Sequence, residues 1–143
     1  MRFMIIIRAS HRTESGDMPE EAKMAEMAAF HEELARAGVL VDASGLQPSS
    51  KGWRISYSGE QRSFVDGPFP ETKELIAGYT IIRVKSREEA IAWTRRFPVP
   101  GCAGDSATVE VRQLSELDDF APSQAVERFR ALGVGTGRDP RAL

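Results

Sequence analysis

Tyr79-Thr-Ile-Ile-Arg-Val-Lys85 runs directly into Ser86-Arg-Glu-Glu89, and Ala90, Trp93 and Phe97 follow at spacings of three and four. The first seven residues are rich in β-branched and aromatic side chains, which suit a pleated strand. Ser86 with Glu89 matches a helix capping box, and the apolar spacing behind it describes one face of a helix. Pro98 and Pro100 end that helix, and residues 101–105 read as a loop. One strand–helix unit is therefore in place, and the alternating Ala107, Val109 and Val111 against Thr108, Glu110 and Arg112 supply the strand that follows it.

The first part of the chain repeats the pattern. Arg2-Phe-Met-Ile-Ile-Ile-Arg8 reads as a buried strand, and Ser10 to Met18 as a polar loop. A helix is expected from Pro19 to Ala37, with acidic residues in its first turn and Gly38 as its left-handed stop. Met27, Phe30, Leu34 and Ala37 form its apolar stripe, and His31 lies on the border of that stripe beside Met24. Val39 to Gln47 is the next strand, with an irregularity expected at Ser44-Gly45. Trp53, Ile55 and Tyr57 alternate with Arg54 and Ser56 before a turn at Ser58-Gly59-Glu60, which predicts a hairpin inserted between the two halves. The whole reads as an α+β, ferredoxin-like split βαβ fold with an antiparallel sheet over residues 1–120, followed by a helical appendage and tail over residues 121–143. Two helices cover one sheet face. The other face carries apolar side chains as well, which favours a homodimer.

The chain has 143 residues, 19 Lys and Arg against 21 Asp and Glu, two His and one Cys. That length suits one domain with a real core. A net charge of −2, with seven acids and one base between Glu14 and Glu33, argues against nucleic acid as a partner. No apolar run is long enough for a signal-peptide core or a membrane span, so a cytoplasmic protein that does not engage membranes is expected. The single thiol, Cys102, has no partner for an internal disulfide.

Few side chains remain for chemistry. His31 is the histidine on a regular element, and imidazole both takes and gives a proton near neutral pH. Its bland reading is a border histidine capped by a polar neighbour, and His11 reads as an exposed loop residue. Two distant histidines and one cysteine lack metal-ligand spacing, and neither a metal nor an organic cofactor is required. Val65-Asp-Gly-Pro-Phe-Pro-Glu-Thr-Lys73 is the most unusual segment. Its prolines restrict Gly67 and Phe69 and stiffen a turn that presents Asp66 at a strand end. Asp66 there either bonds the next backbone amides, orients an imidazole or holds a ligand.

The run from Val65 through Lys73 to Ala77-Gly78-Tyr79 resembles the signature of the YCII-related family, in the branch of DGPF-domain proteins. Phe30-His31-Glu-Glu-Leu34, the Trp-containing segment from Ala90 to Pro98, and Thr108-Val-Glu-Val-Arg112 support the resemblance, with Gln113 departing from the proline common in relatives. It implies a ferredoxin-like fold that pairs as a dimeric α/β barrel, with a pocket holding a helix histidine and a loop aspartate. The matching residues are His31 and Asp66. On this reading His31 is the acid/base and Asp66 its orienting carboxylate, and Gly67, Pro68, Phe69 and Arg112 contact an unidentified small molecule. Arg112 or an amide near Gly67 would stabilise developing negative charge during elimination, isomerisation or lactone chemistry. The alternative is a non-catalytic ligand- or partner-binding accessory domain, which the resemblance connects with sigma-factor regulation. A third reading makes the Asp66 turn purely architectural.

Overall fold

The computed structural model describes residues 1–101 and 107–136; Cys102 and the greater part of the expected loop at 101–105 lie outside them. Six strands and four helices follow in the order β1 (Arg2–Arg8), α1 (His11–Ser15), α2 (Glu21–Arg36), β2 (Leu40–Gly45), β3 (Trp53–Ser58), β4 (Gln61–Asp66), β5 (Ile76–Arg83), α3 (Arg87–Arg95), β6 (Val109–Gln113) and α4 (Gln124–Ala131). The main sheet has the order β2-β5-β1-β6 and every pairing in it is antiparallel. This is the ferredoxin-like arrangement, with β3 and β4 forming a separate two-stranded hairpin between its halves.

Local chemistry accounts for the element ends. Ser86 Oγ accepts a hydrogen bond from the Glu89 amide at 3.1 Å, and the Glu89 carboxylate accepts one from the Lys85 amide at 2.8 Å. Gly38, at φ +73°, closes α2 while the Val39 amide reaches back to the Leu34 carbonyl at 3.0 Å. Ser10 to Met18, expected as a loop, instead contains α1. Ser10 and Thr13 exchange side-chain and backbone hydrogen bonds as a capping box, and Gly16 stops the turn at φ +83°. With Thr in place of Glu at the third position and no apolar periodicity behind it, the sequence pattern of a helix start is weak there. The expected irregularity in β2 falls at Leu40–Asp42 rather than at Ser44-Gly45.

The core lies between the main sheet and the α2/α3 layer. Phe3, Ile5, Ile82 and Val84 from the sheet meet Phe30 and Leu34 of α2 and Ala90 and Phe97 at α3. Phe30 packs edge-on against Phe97 at 5.5 Å and Trp93 at 6.2 Å, which locks the helices together through aromatic edges. Ala37, expected in the buried stripe, is exposed, because α2 ends at Arg36 and Val39 takes the last core position. Arg96, just past the end of α3, binds the Glu33 carboxylate and lies over the Trp93 ring at 5.3 Å.

The register settles which face each β6 residue takes. Val111 pairs with Ile5 and Ile5 with Thr80, so these side chains share the helix-covered face. Glu110 pairs with Ile6, and Arg112 with Met4, so they share the outward face with Tyr79 and Ile81. Arg8 and Glu110 form an ion pair at 3.2 Å, and the Tyr79 hydroxyl donates to Asp42 at 3.0 Å. At the far end of the sheet, Arg2 is buried and makes a two-point pair with Glu116 at 2.9 and 3.0 Å. The Arg83 guanidinium donates to the Thr136 carbonyl at 2.8 Å, which ties the C-terminal segment to the same end. No helix of the described residues is long and apolar enough to cross a membrane.

Candidate functional site

Where α2 overlies the sheet near the end of β1, the side chains beneath it become small. Ala43 and Gly45 of β2 pair with Thr80 and Gly78 of β5, and Gly78 is required there. A Cβ at Gly78 would fall 2.8 Å from the Ser44 carbonyl oxygen, so a larger residue would push β2 away. The helix and sheet therefore leave a cleft of about 450 Å³ in which Met24, Met27, Ala28 and His31 face Ala43, Gly45, Ala77, Gly78 and Thr80. A hollow of about 200 Å³ adjoins it through Ile7, Pro19, Met24 and Met27 and carries Arg12, Asp17, Glu20 and Lys23 at its rim.

His31 is half-buried on the wall of the main cleft, and both ring nitrogens are held. Nδ1 lies 2.8 Å from the Met27 carbonyl oxygen, one turn back along α2, and Nε2 lies 2.8 Å from Thr80 Oγ1. The ring edge also packs against Phe30 at 6.1 Å and Phe97 at 6.2 Å. An imidazole fixed by two hydrogen bonds and two aromatic neighbours, with a cavity beside it, has the preorganisation that proton transfer to a bound molecule needs. Thr80 is the residue that sequence reading missed. Nothing in the spacing of β5 singles it out, because its meeting with His31 depends on how α2 crosses the sheet.

The other expected site residues gather elsewhere. Asp66 ends β4 opposite Trp53, is exposed, and its carboxylate makes no hydrogen bond to the described residues. Gly67 donates its amide to the Gly52 carbonyl at 2.9 Å, so that N–H, one of the amides of the region expected to meet developing charge, is already engaged. The Phe69 amide donates to Ser49 Oγ at 3.0 Å, and the Phe69 ring carries the Arg54 guanidinium 3.9 Å from its centroid. Pro68 follows Gly67 through a cis peptide bond. Ser49 in turn donates its hydroxyl and its amide to the Glu14 carboxylate of α1. The turn is thus pinned to α1 and to the short 3-10 turn Ser49–Lys51, a connection across sequence that no motif announced. Arg112 lies on the outward face, on the other side of the sheet from His31. Within one chain, the structure brings His31 together with Thr80 and Met27, and the cleft it lines includes neither Asp66 nor Arg112. Among the described residues, no three His, Cys, Asp or Glu side chains are clustered where they could hold a metal ion.

An uncharacterised protein of Rhizobium meliloti (strain 1021) is 28% identical to this chain over 96 residues, covering 67% of the chain and 76% of that protein. The YCII-related domain family matches residues 1–117, a span that takes in all six strands, the first three helices and the residues around the cleft. With a family match over that much of the ferredoxin-like core, the chain belongs to the YCII-related domain family.

Proposed function

We propose that this protein binds a small molecule in the cleft under α2 and uses His31 to move a proton on it, in an elimination, isomerisation or related step. The observation that carries this reading is the imidazole itself, held at both nitrogens on the wall of a cavity floored by small residues. The working form is a homodimer that covers the outward sheet face, where Met4, Ile6 and Ile81 stand half-buried on the side of the sheet opposite α2 and α3. In that dimer Arg112 faces the partner's sheet rather than the cleft, and Asp66, the orienting carboxylate of the DGPF-type reading, which lies outside the cleft of its own chain, contacts the cleft of the second copy. Gly67, Pro68 and Phe69 carry Asp66 on the hairpin and place it for that contact.

A thermal-shift screen of small acids, lactones and haloaromatic metabolites, repeated with His31→Ala, tests the reading. Hits that stabilise the wild type and lose their shift in the variant are expected. No hit on either protein would move the reading to a partner-binding module built on the hairpin, which exposes Trp53 at 58% and Tyr57 at 67%, with Phe64 stacked on Trp53 at 5.8 Å.

A further inference from the structure

The partners of His31 determine where its proton sits. A backbone carbonyl only accepts hydrogen bonds, so the nitrogen 2.8 Å from Met27 O, Nδ1, carries the hydrogen. In the neutral ring the lone pair is then on Nε2, and the group 2.8 Å from it is the Thr80 hydroxyl. Thr80 Oγ1 must donate to it. Little can rearrange, since Thr80 is 1% exposed within the β5 ladder and Phe30 and Phe97 flank the ring.

We propose that Thr80 works with His31 in the cleft: the Met27 carbonyl leaves Nε2 as the basic atom, and the Thr80 hydroxyl caps that lone pair and relays a proton between the imidazole and a bound molecule. This rests on the cleft reading given above. In the forward step the ligand's acidic C–H or O–H gives its proton to Thr80 Oγ1 as the Thr80 hydroxyl proton passes to Nε2. The electron pair left on the ligand forms a new double bond, and in an elimination the leaving group departs with the pair of the bond that breaks. One proton has moved from ligand to His31, Thr80 is again a neutral hydroxyl, and its O–H now points at the ligand. The cleft lining also sets the ligand class. Among the described residues of one chain its lining holds no Asp, Glu, Lys or Arg, and Arg12, Asp17, Glu20 and Lys23 stand in the adjoining hollow. A small molecule with one acidic hydrogen, its apolar body on the Gly45/Gly78 floor, fits it.

Two measurements test this without any ligand. Long-range proton–nitrogen NMR of the neutral wild-type protein, with His31 assigned by comparison with His31→Ala, reads the tautomer. The expected result is hydrogen on Nδ1 and a bare Nε2; hydrogen on Nε2 would overturn the proposal and needs no variant to be seen. Diethyl pyrocarbonate acylates an uncapped imidazole nitrogen, and His11 serves as internal standard in the same chain. Loss of one hydrogen bond to the lone pair in Thr80→Val should speed acylation of His31 relative to His11 by about fivefold, with Thr80→Ser close to wild type. Equal rates in all three folded proteins would overturn the proposal. If Thr80→Val does not fold, Thr80→Ala replaces it and the wild-type tautomer still decides. An expected tautomer and rate pattern alongside an empty ligand screen would retain the Thr80–His31 relationship and reject the small-molecule reading instead.

Discussion

Gly67 and Ser49 are in backbone contact: a Cβ at Gly67 would fall 1.8 Å from the Ser49 carbonyl oxygen and 2.6 Å from its carbonyl carbon. Only glycine fits, and the contact is what seats the turn on the Ser49–Lys51 segment. Gly67→Ala should therefore destabilise the protein by at least about 1–3 kcal/mol, the usual range for forced overpacking. Asp66→Asn, next door, removes no side-chain hydrogen bond among the described residues and should stay within about 0.5 kcal/mol of wild type. Urea unfolding of both variants checks this. An Asp66→Asn loss as large as that of Gly67→Ala would favour the purely architectural role for the carboxylate.

Phe30 is the hinge of the aromatic cluster, touching Trp93, Phe97 and His31. Phe30→Ala should cost about 3–5 kcal/mol through lost burial and the cavity left between α2 and α3. The same variant should loosen the His31 ring, read as broadened imidazole resonances in the NMR spectrum while α2 remains helical by circular dichroism. Unchanged stability would mean that the two helices pack by contacts other than these.

Arg2 is 7% exposed and its charge is met by Glu116 at two points. Glu116→Ala leaves a buried guanidinium without its carboxylate, and a loss of about 1.5–3 kcal/mol is expected from broken charge-assisted hydrogen bonds. Replacing both partners by apolar residues, Arg2→Met with Glu116→Leu, should recover part of that loss, because no uncompensated charge remains. Thermal melts of the single and double variants decide between these outcomes.

The homodimer reading is tested on the outward sheet face. Ile81→Asp should convert a dimer to a folded monomer, seen by sedimentation with an unchanged circular dichroism spectrum, since a carboxylate cannot be buried there without a partner. A wild-type protein that sediments as a monomer at every concentration would remove the dimer, and with it the route by which Asp66 reaches the cleft.

What the sequence by itself determined is local. Ser86 with Glu89, Gly38 after the α2 stripe, and the alternation from Trp53 to Tyr57 each depend on neighbours within a few residues, and each marks its element as expected, although Glu89 closes on the Lys85 amide rather than on that of Ser86. The order of those elements then admits a split βαβ sheet, because antiparallel pairing and two crossover helices leave few other arrangements. His31 was legible as the candidate because the chain has so few groups able to carry a proton. Its partner was not. Thr80 is 49 residues away and meets Nε2 only because α2 crosses β5 at that row of the sheet. The same holds for Glu14, which reaches Ser49 across 35 residues, and for Arg112, whose face is set by which β1 residue it pairs with. A register slip of one residue would reverse that face, and no property of β6 alone forbids it; the burial of Val109 and Val111 against the helices does.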